Sequence, residues 1–173
     1  INRRDEFTVN ISFVENGMPK LGVVYAPALK KIYYTKSVSE AIEEIAPFDE
    51  DKTGNIKSLK VARSNNKGLV VVASKSHLDN ATNEYISNYK VANFKSIGSS
   101  LKFCLIAAGE ADLYPRLGRT MEWDTAAGDA LLRAAGGHVV NFETLKPLIY
   151  GKMNYENPHF IAYSNAVVLK GII

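Results

Sequence analysis

A chain of 173 residues with 46% apolar content is long enough to bury a core and is one domain's worth of sequence. Its formal net charge of +3 comes from 21 Lys and Arg against 18 Asp and Glu, without long blocks of one sign, which argues against nucleic acid as a partner. The single cysteine, Cys104, and the lack of any Cys-His cluster exclude a disulfide framework and a zinc site, and no apolar run is long enough for a transmembrane segment. A soluble protein of the reducing cytoplasm is expected, with a peripheral place at the inner face of the membrane as the alternative.

The chain opens at Ile1, and residues 1–6 lead into a strand pattern with no apolar signal core, so it reads as a sequence entered midway. Phe7, Val9, Ile11 and Phe13 alternate with Thr8, Asn10 and Ser12, the period of a half-buried strand. Asn16-Gly17 tolerates the positive φ of a hairpin turn. Residues 21–26 return as a second strand, Pro27 stops it, and residues 31–34 offer a third, so an antiparallel meander is expected. Residues 36–58 are polar and irregular and predict a surface loop or a short helix over 39–45, with no chemistry attached.

From Leu69 the texture changes. Residues 69–73 form a continuous apolar run suited to a strand covered on both faces, followed by Ser74-Lys75-Ser76-His77. A helix starts near Asp79, with Leu78, Tyr85, Ile86 and Tyr89 on one side. Residues 92–97 give another strand. After Gly98 comes a helix capped by Ser99 or Ser100, turning Leu101, Cys104, Leu105 and Ala108 inward and ending at Gly109. Residues 112–114 form a short strand before Pro115 and Arg116, and residues 139–142 and 160–163 supply the last two. Strands alternating with helices predict an α/β layer, whose ligands sit at the C-terminal ends of strands. His77, Gly98, Ser99 and Arg116 all lie after strand patterns.

The stretch from Glu122 to Gly137 is the most informative. Asp124 reads as an N-cap, Gly136-Gly137 ends the helix, and Ala127, Leu131 and Ala134 or Ala135 recur at helical spacing. Its first turns are unusually small, although Gly128 costs roughly 1 kcal/mol relative to Ala in a helix interior. Something packs or binds close to that backbone. Asp124 is therefore either a cap alone or a carboxylate that holds a divalent cation beside an anion at the helix start.

The run Trp123-Asp124-x-Ala126-Ala127-Gly128-x-x-Leu131-Leu132-x-x-Ala135-Gly136-Gly137 resembles the second signature of the lithium-sensitive, magnesium-dependent phosphomonoesterases, the inositol monophosphatase superfamily. Gly22-Val23-Val24-Tyr25-Ala26-Pro27, Lys75-Ser76-His77, Gly98-Ser99-Ser100-Leu101-Lys102 and Tyr114-Pro115-Arg116 resemble segments of its 3′(2′),5′-bisphosphate nucleotidase branch. The resemblance implies an α/β fold, the C-terminal portion of a layered α-β-α-β-α sandwich. Residues 1–58 would form part of the first sheet, and 59–173 an α/β unit with the substrate pocket.

The resemblance makes Asp124 a magnesium ligand and catalytic residue, and places the substrate, 3′-phosphoadenosine 5′-phosphate, against His77, Gly98, Ser99, Lys102, Arg116 and Asp124. Hydrolysis to AMP and phosphate would tie it to sulfur metabolism. Two phosphates need cations beyond the metal, which Lys102 and Arg116 supply as point charge and fork. Inositol monophosphatases tend to lack that pair. The superfamily's remaining metal ligands belong to an upstream Glu and an Asp-Pro-x-Asp-Gly-Thr signature, neither present here. The expectation is thus an N-terminally truncated chain, inactive alone, with an apolar sheet face exposed and either an N-terminal half or a second copy as partner. The alternatives are an inositol monophosphatase-like sugar phosphatase and a non-catalytic nucleotide-binding remnant.

Overall fold

Asn16 and Gly17 both adopt positive φ, at 52° and 76°, and reverse the chain between β1 (Val9–Glu15) and β2 (Met18–Ala26). The computed structural model describes residues 5–49, 51–74 and 79–170. The meander continues through β3 (Lys31–Ser37), β4 (Glu40–Ile45) and β5 (Asn55–Leu59), giving a five-stranded antiparallel sheet in sequence order. β4 and β5 correct the expectation of a surface loop over 36–58, and β4 also that of a short helix over 39–45. Its Glu and Ala content favours helix locally, but the segment is paired on both sides, with Tyr33 opposite Glu43 and Ala41 opposite Leu59. Glu43 points into the core and is held by Lys31 Nζ at 2.9 Å. Pairing and burial override propensity there.

The second sheet takes β6 (Leu69–Ala73), β7 (Val91–Ser96), β8 (Leu113–Arg116), β9 (Gly137–Asn141) and β10 (Phe160–Ser164) in the order β7-β6-β8-β10-β9. β6 runs parallel to β7 and β8, while β10 is antiparallel to β8 and β9. Pro115 fits inside this sheet because β6 meets β8 only at Val71 and Leu113, so no ladder bond is lost on that side. Asp112, just before β8, is buried and accepts from Val70 N at 2.7 Å and Ser64 Oγ at 2.6 Å.

Helices α2 (Leu101–Ala107) and α3 (Glu122–Ala134) lie between the sheets, while α1 (Asn80–Ser87) covers the far face of the second one. One core cluster runs from Val24, Tyr33 and Leu59 through Phe103, Cys104 and Leu131 to Val139 and Phe160. A smaller one joins Tyr85, Ile86 and Tyr89 of the α1 side to Val71, Leu113 and Ile161. Among the described residues no helix is long and apolar enough to cross a membrane.

The small residues of α3 are explained by packing. A Cβ added at Gly128 would sit 2.5 Å from the Phe103 ring, and one at Gly22 would run into the backbone of Ala127. Helix and sheet touch backbone to backbone at that point.

β1 is half-buried, but by its polar side. Thr8, Asn10 and Ser12 face the helices, whereas Phe7, Val9, Ile11 and Phe13 are exposed. Ile11 is 64% exposed, and Val9, Ile11 and Phe13 stand opposite Tyr25, Val23 and Leu21 on the same outer face. The expected apolar face of the first sheet is therefore open.

Candidate active site

Two connections after strands converge at the start of α3. The turn after β7 carries Gly98, Ser99 and Ser100, β8 ends in Arg116, and residues 117–121 lead into the helix. Between them lies a cavity of about 540 Å³ whose wall includes Ser99, Lys102, Arg116 and Asp124. Four of the predicted site residues thus share one cavity. Gly98 is beside it but not on its wall, and its N–H is bonded to Glu6 Oε2 at 2.8 Å. His77 lies outside the described residues, as do Lys75 and Ser76.

Asp124 is not the N-cap of its helix. Met121 takes that place, and Asp124 in the first turn reaches back so that Oδ2 accepts from Met121 N at 3.0 Å. The sequence does not mark this shift, because the cap residue has no polar side chain. The helix start is anchored from the chain that precedes β10. Glu122 accepts from Gly151 N at 2.8 Å and Lys152 N at 3.0 Å and pairs with Lys152 Nζ at 2.5 Å. Burial works against its ionisation, but these donors hold the carboxyl below its ordinary value. Asn157, also buried, donates to Met121 O at 2.8 Å and Thr125 Oγ1 at 3.0 Å and fixes the loop to the helix.

Lys102 is 5% exposed, and its ammonium donates to Ser99 O at 2.6 Å and Ile97 O at 3.3 Å. It also lies 5.3 Å from the centre of the Tyr114 ring. Burial, then the neighbouring Arg116, pull its pKa down to about 8, against the opposing pull of Glu6 and Asp124. Arg116 is half-buried and donates from Nη2 to Arg119 O at 3.0 Å. Neither serine caps α2 through its side chain. Ser100 occupies the N-cap, but its hydroxyl donates instead to Asn10 Oδ1 at 2.6 Å.

Asn10, Arg119 and Thr120 also line the cavity and were not singled out from the sequence. The signal for Asn10 was present in the polar alternation of residues 8–12, but nothing local says that this face meets a turn some ninety residues away. A second cavity of about 550 Å³ lies across α3, bordered by Trp123, Tyr150 and Tyr155. Among the described residues no Lys or Arg lines it, so it suits a phosphate less well.

The inositol monophosphatase family model matches residues 1–169. The chain belongs to that family. Among its relatives, the 3′(2′),5′-bisphosphate nucleotidase CysQ of Salmonella typhimurium is 46% identical over 161 residues, covering 92% of this chain and 61% of the relative. The Escherichia coli protein of that name is 44% identical with the same coverage. This family member therefore spans about three fifths of the length of these relatives. The crystal structure of CysQ from Bacteroides thetaiotaomicron, a bacterial member of the family, superposes with a TM-score of 0.81 at 38% identity, over 92% of this chain and 63% of that one. Staphylococcal IMPase-II shares the fold at a TM-score of 0.73 and 20% identity, over 94% of this chain and 60% of that one. The α/β architecture of the inositol monophosphatase family is thus established for this chain.

The described residues do not fit a complete metal site. No group of three His, Cys, Asp or Glu gathers among them, and Asp124 is the only carboxylate that the described residues place on the cavity wall. Magnesium on a single carboxylate remains mostly hydrated. What the cavity offers by itself is cationic: Lys102 and Arg116 on one side, with hydroxyls and a backbone turn around them.

Proposed function

We propose that the cavity binds 3′-phosphoadenosine 5′-phosphate, and that the activity to which this chain contributes is its magnesium-dependent hydrolysis to AMP and phosphate. The observation that carries this reading is the pairing of a buried ammonium, Lys102, with the Arg116 guanidinium in one cavity beside Asp124. A single phosphate needs one such partner, and two phosphates on one nucleoside need separate ones. Lys102 is committed to backbone carbonyls on one side, which leaves its remaining proton for an acceptor in the cavity. Arg116 offers a planar fork. Ser99 supplies a hydroxyl, and His77 completes the nucleotide contacts in this reading. The similarity to relatives called bisphosphate nucleotidases supports the same substrate.

Asp124 contributes one oxygen ligand toward the cation. The chain alone is expected to bind the nucleotide and to hydrolyse it weakly or not at all. A sugar phosphatase reading is less well supported, because the relatives at 44–46% identity are called bisphosphate nucleotidases.

Calorimetry with 3′-phosphoadenosine 5′-phosphate, and phosphate release measured with and without a separate segment carrying the Asp-Pro-x-Asp-Gly-Thr signature, tests both halves. Binding without the segment and turnover only with it are expected. No nucleotide binding under either condition sinks the proposal, and turnover by the chain unaided overturns the account of the metal ligands.

A further inference from the structure

The turn that presents Ser99 and positions Lys102 is held from outside its own unit by the chain entering β1. Glu6 Oε2 accepts from Gly98 N at 2.8 Å, and a Cβ at Gly98 would stand 3.1 Å from that same oxygen, so the two segments are in close contact. Thr8 Oγ1 is bonded to the hydroxyls of both Ser99 and Ser100, the latter at 2.8 Å, and Ser100 donates to Asn10 Oδ1. Ser99 adopts a left-handed backbone at φ 52°, a strained state for a residue with a side chain that persists where its surroundings enforce it. From the other side, the Lys102 ammonium is bonded to the carbonyls of Ile97 and Ser99. The place of the ammonium therefore follows the place of the turn.

We propose that Glu6, Thr8 and Asn10 are positioning residues for the nucleotide pocket, latching the edge strand of the first sheet onto the Gly98–Ser100 turn and thereby fixing Ser99 and Lys102. This rests on the nucleotide reading of the cavity. The latch makes β1 two-sided: its polar side holds the binding turn, and its apolar side, Phe7, Val9, Ile11 and Phe13, is open to solvent.

Glu6→Ala and Glu6→Gln in the full chain test the latch with two readouts, calorimetric affinity for 3′-phosphoadenosine 5′-phosphate and amide exchange at Gly98. Glu6→Ala removes the acceptor and is expected to weaken the nucleotide by about tenfold and to speed exchange by a similar factor, the scale of one hydrogen bond to a charged group. Glu6→Gln keeps an acceptor oxygen and is expected to restore most of both. Unchanged affinity in Glu6→Ala overturns the proposal, whether or not exchange at Gly98 quickens, because the turn then does not set the pocket. Should the unmodified chain bind no nucleotide, the reading of the cavity fails, and exchange at Gly98 still decides the latch: acceleration in Glu6→Ala reversed by Gln retains it, and no acceleration removes it.

Discussion

At Lys102, the same titration acts in opposite directions on binding and on folding. Its native pKa of about 8 lies below the ordinary 10.5, so between these values the unfolded chain holds a proton that the native chain has lost. Stability from this group therefore rises with pH across that window. Affinity for an anion does the reverse, since the ammonium that would meet a phosphate is discharged above pH 8. Calorimetric titrations of 3′-phosphoadenosine 5′-phosphate from pH 7 to 9.5 should show affinity falling through about 8 in the unmodified chain and a much flatter profile in Lys102→Met, at a level at least about tenfold weaker at pH 7. A flat profile in both would mean that the ammonium does not meet the ligand. Residues of this kind were legible in part. Lys102 and Arg116 stood out as a cationic pair, whereas Asn157 and Glu122, which hold the helix start in place, carry no local mark that separates them from surface polar residues.

At the level of elements, α3 shows how a sequence can announce a constraint without naming its cause. The Ala126-Ala127-Gly128 run signals close approach, and both a ligand and a packing partner are compatible with that signal. The partner is the Phe103 ring on one side and the backbone across Gly22 on the other. Gly128→Ala gains intrinsic helix propensity of about 1 kcal/mol, yet the added methyl must displace a buried ring, for which overpacking costs of ~1–3 kcal/mol are usual. A net loss of stability is expected by urea denaturation, with the m-value unchanged; a gain would show that the ring yields freely. The neighbouring Asp129 illustrates the same layer of information. Burial raises its carboxyl, while Arg133 Nε at 2.5 Å and Tyr150 OH at 2.9 Å act against that shift. Its i,i+4 spacing to Arg133 is visible in the sequence, but its complete burial is not. β4 is the reverse case, where residues of helical preference become a strand because strands on either side claim their backbone groups.

The whole molecule is two sheets with α2 and α3 between them and α1 beyond the second, and one face is left open. Phe7, Val9, Ile11 and Phe13, together with Leu21, put large apolar side chains into solvent on the outer side of the first sheet. A continuous patch of that kind favours association. Sedimentation velocity should show concentration-dependent association of the chain, reduced by Ile11→Lys, a position 64% exposed whose replacement disturbs no core contact. Identical behaviour of the two proteins would exclude this face as the cause.

The sequence by itself determined the strand and helix order outside residues 36–59, the α/β class, the family and the group of residues to look at, because periodicity, turn residues and a long motif are local properties. Which side of β1 is buried, which residue caps α3, and that β1 latches the Gly98–Ser100 turn were decided only by the tertiary structure. Alternation states that a strand has two unlike faces, but the partner that claims each face is set by contacts far away in the chain. Thr8 and Asn10 acquire their role from Ser99 and Ser100, and no pattern around residue 10 contains that information.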